Sequence, residues 1–177
     1  MDAGQIGLVF LSILVACVLA TPIYIAYLYF IRDPQVRKSG LGAPERALIP
    51  GLCASLVAPI GLFLFAWTGF NAPKIHWIVP TIGVVIYVAA LLILMQCLFL
   101  YIPLSYPKYA ASLFAGNGFF RSCVAASAIH FAYPLFQNLG VGRGVSVLGG
   151  LTVGGAIGVF GLYQYGASLR ARSKFAV

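Results

Sequence analysis

The chain has 177 residues, of which 62% are hydrophobic and 8% charged, and its mean hydropathy is +0.99. A soluble domain averages about 45–50% apolar and about 25% charged residues, so a conventional water-soluble core is excluded and lipid must do most of the burying. The formal net charge is +8. Its basic residues sit mainly at the ends of apolar segments, which points to membrane topology and away from nucleic acid.

Five long apolar segments follow one another. A run of 18 or more apolar residues reads as a transmembrane helix, because about 20 residues span about 30 Å of hydrocarbon. The composition therefore predicts an all-α, multi-pass membrane protein, with residues 1–177 forming one transmembrane domain: a bundle of five helices whose first partner is the lipid bilayer. The first span covers about 6–31. Ile6 to Ala20 has the look of a signal-peptide core, but Asp2 stands where a basic region belongs and the apolar run continues to Ile31, so it reads as a retained span. Arg32-Asp33-Pro34 is expected to end it. A polar stretch from Arg32 to Arg46 follows, holding Asp33 and Glu45 among its basic residues. The second span covers about 48–69 and leads into the turn Asn71-Ala72-Pro73-Lys74. The third covers about 77–101, and Pro103 and Pro107 bound the loop after it. The fourth covers about 109–136, and a glycine-rich turn from Asn138 to Gly144 leads to the fifth, about 145–165.

Spans alternate sides of the membrane. The first loop, the Lys108 loop and the C-terminal tail therefore share a face, which carries Arg32, Arg37, Lys38, Arg46, Lys108, Arg170, Arg172 and Lys174. The opposite face has Lys74 and Arg143. By the positive-inside rule the C-terminus is expected in the cytoplasm and the N-terminus outside. Trp67, Phe70 and Trp77 then fall at the outer interface, and Tyr27, Tyr101, Tyr109 and Tyr165 at the inner one. An odd number of spans with an external N-terminus is the pattern of the tail of a longer chain.

Few residues inside the spans can carry chemistry. Arg121 is the charged one. A charge at mid-bilayer is expensive, so it is expected to face a bundle interior or a wet cavity, where it either shapes a binding site or bonds neighbouring carbonyls. Asn117 lies four residues earlier on the same helical face. Gln96 is the amide of the third span and either lines a cavity or bridges helices. His130 reads as packed or hydrated more readily than as a proton relay, and His76 as part of the aromatic belt. Gly150, Gly154 and Gly158 recur every four residues, a face that admits close helix packing within the protein or with another copy. Cys17, Cys53, Cys97 and Cys123 are spaced for neither disulfides nor metal. No HExxH, GxSxG, P-loop or carboxylate pair is present, so no enzyme, metal or cofactor is expected.

Several strings then resemble the major facilitator superfamily, most closely its fungal twelve-span multidrug:proton antiporters. Pro44-Glu45-Arg46, Pro59-Ile60-Gly61-Leu62-Phe63 and Phe65-Ala66-Trp67-Thr68 look like their ninth span. His76-Trp77-Ile78-Val79-Pro80 resembles the start of the tenth. Tyr109-Ala110-Ala111-Ser112, Asn117 with Arg121, and Tyr133-Pro134-Leu135-Phe136 resemble the eleventh. Leu139-Gly140-Val141-Gly142 and the tail from Tyr165-Gly166 to Phe175 resemble the twelfth and the C-terminus. Leu104 departs from the pattern, standing where the family often has an acidic residue. The resemblance implies the partial C-terminal half of a major facilitator fold, spans eight to twelve, with an N-terminal half as missing partner. It implies proton-coupled export of small amphipathic molecules or drugs across the plasma membrane. It would place Gln96 near the cavity, Asn117 and Arg121 near the interface of the halves, and the glycine face on a packing surface. The alternative is a non-transporting membrane fragment or assembly partner that packs through Gly150, Gly154 and Gly158.

Overall fold

A computed structural model describes residues 3–39, 44–70 and 76–173. The expected turn Asn71-Ala72-Pro73-Lys74 and the residues Lys174 and Phe175 lie outside that set. The described chain is helical apart from short turns. Helix α1 is Ala3–Tyr27, α2 Asp33–Ser39, α3 Ile49–Phe70, α4 Ile78–Ser105 and α5 Ala110–Arg172. α1, α3, α4 and α5 are long and apolar enough to cross a membrane. Their outward faces carry large apolar side chains such as Phe10, Val18, Leu56, Phe120 and Ile157. Water would make such a surface untenable, whereas lipid solvates it, and the chain is a multi-pass membrane protein.

Five separate helices were expected, and the fourth and fifth spans run on from one another over the 63 residues Ala110–Arg172, with the non-helical backbone of Gly140 between them. A straight helix of that length would measure about 95 Å, some three bilayer cores. It is not straight. Gly140 has φ 73° and ψ 169°, a conformation open to glycine and hardly to any other residue. Beyond it the chain folds back. A Cβ placed on Gly144 would lie 2.7 Å from the Phe136 ring, although eight residues of straight helix would separate the two by about 12 Å. Residues 110–139 and 141–172 are therefore two arms, each long enough to span. The glycine turn predicted at 138–144 is present, with its non-helical backbone at Gly140.

Two further boundaries differ from expectation. Pro34 does not end the first helix. A π-helical turn, Leu28–Arg32, precedes it, and the Asp33 N–H bonds back to the Leu28 carbonyl. This wider turn shifts the hydrogen-bond ladder just where proline would break it, and the chain continues into α2. α4 likewise runs through Pro103 to Ser105, four residues beyond its expected end.

Packing follows small side chains. α4 lies between α1 and α3, and α3 lies between α4 and α5. The face of α1 that meets α4 is Ser12, Ala16, Ala20 and Tyr24, four residues apart and all buried. On α4 the buried positions Gly83, Ala90 and Cys97 recur every seven residues. Against them pack Gly51, Ala54, Ala58 and Gly61 of α3. The closest approach is reciprocal. A Cβ on Gly61 would meet the Tyr87 amide nitrogen at 2.7 Å, and one on Gly83 would meet the Gly61 carbonyl oxygen at 2.9 Å. Dispersion across such close backbones holds helices together in lipid, where burial of apolar surface offers little.

Candidate functional site

Arg121 and Asn117 sit on the first arm of α5, which is exposed along most of its length. Its early turns touch α4 through Phe114, whose ring meets Phe99 edge-on, with centroids 5.4 Å apart and planes at 81°. That T-shaped pair is a favourable aromatic geometry. It forms the floor of an open groove of about 480 Å³ lined by Phe99, Phe114, Asn117, Gly118 and Arg121. The helical spacing of four puts Asn117 and Arg121 on one wall. Asn117 and Arg121 thus both line one groove. Gln96 is exposed on α4, one turn before Phe99, and does not line it.

Neither Asn117 nor Arg121 has a hydrogen-bond or ion-pair partner among the described residues. The two described carboxylates are engaged elsewhere. Asp33 pairs with Arg37 at 3.5 Å in an exposed i,i+4 bridge. Glu45 is buried against Arg170. The groove therefore presents a positive charge and an amide beside two phenyl rings, a set suited to holding a flat apolar molecule with an acceptor group.

The other candidates are dispersed. His130 is exposed on the first arm. His76 lies against Trp77, ring centroids 5.6 Å apart, and its Nδ1 accepts the Ile78 N–H at 3.5 Å. Gly150, Gly154 and Gly158 have open space where a Cβ would stand, so that face is turned away from the described helices. On the same arm Gly149 and Gly166 make the intramolecular contacts, to Phe63 and to Glu45 with Tyr101.

One cluster escaped the sequence reading. Glu45 lies in a short 3-10 turn, Pro44–Leu48, ahead of α3. Its Oε1 accepts the Arg170 Nε–H at 3.0 Å and a second bond from Nη2. The side chains are 9% and 17% exposed. Gly166 makes room, since a Cβ there would come within 3.3 Å of both Glu45 and the Tyr101 hydroxyl. Glu45 Oε2 and Ser105 Oγ are buried with no hydrogen-bond partner among the described residues. The first loop, the end of α4 and the end of α5 thus meet at one end of the bundle, as the alternation of spans requires. The two ions are 125 residues apart in sequence. The signal available was Glu45 itself, an acid in a basic loop, whose partner sequence distance concealed.

No protein-family model matches the chain, and no solved structure matches it. Individual relatives do. The chain is 45% identical over 176 residues to the MFS-type transporter pyvG of Aspergillus violaceofuscus, covering 99% of this chain and 32% of that protein. It is 40% identical to Fluconazole resistance protein 1 of Saccharomyces cerevisiae, covering 97% of this chain and 31% of that protein. It is 35% identical to the Cycloheximide resistance protein of Candida maltosa, covering 97% and 32%. The chain thus spans about a third of the length of the curated relatives it matches. The similarity runs through α1, the packed α3–α4 pair and both arms of α5, so nearly the whole chain is related to one stretch of these fungal MFS-type transporters.

Proposed function

We propose that the chain acts as the C-terminal part, spans eight to twelve, of a plasma-membrane exporter that moves small amphipathic molecules or drugs against a proton gradient. The observation that carries this reading is the groove between α4 and the first arm of α5. Arg121 and Asn117 stand there unpartnered beside Phe99 and Phe114, where a static bundle would leave lipid-compatible side chains. Relatives of this chain are named for fluconazole and cycloheximide resistance, which supports a drug as cargo. In this reading Arg121 and Asn117 contact cargo, and Gln96 on α4 lines its path. The spans contain no carboxylate, so the proton-binding acid is assigned to the remainder of the transporter. The open face at Gly150, Gly154 and Gly158 is assigned to packing against a helix beyond those described.

Export by the full-length transporter tests the role of Arg121. Arg121→Ala should lower drug resistance of cells at least tenfold while the protein level is unchanged. Unaltered resistance would remove Arg121 from the transport path. The orientation has its own test. A tag on the C-terminus should survive protease added to intact cells and be digested only after permeabilisation, and digestion from outside would invert the topology.

A further inference from the structure

We infer that the groove between α4 and the first arm of α5 selects aromatic molecules that present a hydrogen-bond acceptor, carboxylate or carbonyl, and rejects organic cations. The inference rests on the transport reading and adds the sign of the cargo. Size comes first. The groove measures about 480 Å³, within the range of small-molecule sites, roughly 300–1,000 Å³. Shape follows from its floor. Phe99 and Phe114, crossed at 81°, present one ring face and one ring edge, against which a flat apolar body can lie stacked or edge-on. Charge decides the rest. Arg121 offers guanidinium donors and no acceptor. Asn117 adds an amide donor one turn away. No described carboxylate reaches this wall, because Asp33 is held by Arg37 and Glu45 by Arg170. A cation entering the groove would meet an uncompensated like charge in a medium of low dielectric, where repulsion between ions is several times stronger than in water. An acceptor oxygen would instead supply the hydrogen bond that Arg121 lacks.

Three probes of one shape separate the terms. Binding of radiolabelled 2-naphthoate, with 2-acetylnaphthalene and 2-naphthylmethylamine as competitors, is measured on the 177-residue chain in nanodiscs of neutral lipid. The amine, protonated at pH 7, should bind at least tenfold more weakly than naphthoate. Arg121→Gln should abolish that preference, and Arg121→Lys should keep it. A ketone that competes within about threefold of naphthoate assigns recognition to the acceptor oxygen, and one that competes more weakly assigns it to charge. Equal binding of amine and naphthoate, or a preference that survives Arg121→Gln, overturns the inference. Arg121 is exposed and has no hydrogen bond to another helix among the described residues, so Arg121→Gln should leave the thermal unfolding midpoint unchanged, which is measured alongside. The two readings fail separately. Export lost in Arg121→Ala cells without any anion preference in nanodiscs keeps the transport reading and discards this one.

Discussion

Removing Arg170 should expose how much the Glu45–Arg170 ion pair contributes to the fold. In Arg170→Ala the Glu45 carboxylate stays behind, 9% exposed. Its Oε1 loses both guanidinium bonds. Its Oε2 already has no hydrogen-bond partner among the described residues. Breaking a buried pair by deleting one partner typically costs about 3–5 kcal/mol, because an uncompensated charge is left in a low dielectric. Arg170 is 17% exposed and the site lies at the end of the bundle, so the lower figure applies, about 3 kcal/mol, or roughly a hundredfold in the unfolding equilibrium. Glu45→Leu with Arg170→Met removes both charges and keeps apolar volume, and should recover most of that loss. The assay is equilibrium unfolding in mixed micelles, titrated with a denaturing detergent and followed by circular dichroism. The double variant closes a thermodynamic cycle with its single parents. Should Arg170→Ala unfold within about 0.5 kcal/mol of the parent, the pair is solvated in the membrane and the burial argument fails.

Gly61→Ala should destabilise the chain by at least about 1–3 kcal/mol in the same titration, since the new methyl meets backbone atoms of α4 that cannot swing aside. Gly154→Ala, with nothing within 4 Å, should be neutral or slightly stabilising by helix propensity, so equal losses at both sites would contradict the packing described. Gly140→Ala should cost about 1–3 kcal/mol, because its backbone conformation is nearly glycine-only. It should also lengthen the distance between spin labels at positions 133 and 147, and an unchanged distance would show that the reversal does not depend on that glycine.

The class of protein and the turn near Gly140 were legible because each follows from local composition. Hydropathy over about 20 residues reports the solvent, and glycine reports a backbone that other residues avoid. The pairing of Asn117 with Arg121 was legible for the same reason, since a helix puts residues four apart on one wall. The bounds at Pro34 and Pro103 were misjudged because proline removes one donor, and a neighbouring turn can absorb that loss. At Pro34 the turn Leu28–Arg32 widens to do so.

What the sequence hid is which face of each helix meets which neighbour. In a soluble protein the apolar stripe identifies the buried side. Here Phe120 and Ile157 are exposed while Leu48 is buried, so apolar character carries no directional information. Only small and polar residues do, and they are ambiguous in a specific way. Gly150, Gly154 and Gly158 show that a backbone can be approached, yet nothing described approaches it. Gly61 and Gly83 lack the repeated glycine signature and still make the closest helix contact described. Their signal was weaker but present, in the seven-residue recurrence of Gly83, Ala90 and Cys97 against the small residues of α3. A glycine stripe marks capacity, whereas two small-residue faces that fit each other mark a contact. The Arg121 groove obeys the same logic, because a lone charge in a span declares that something must answer it, and the chemistry of the groove wall states what that something is.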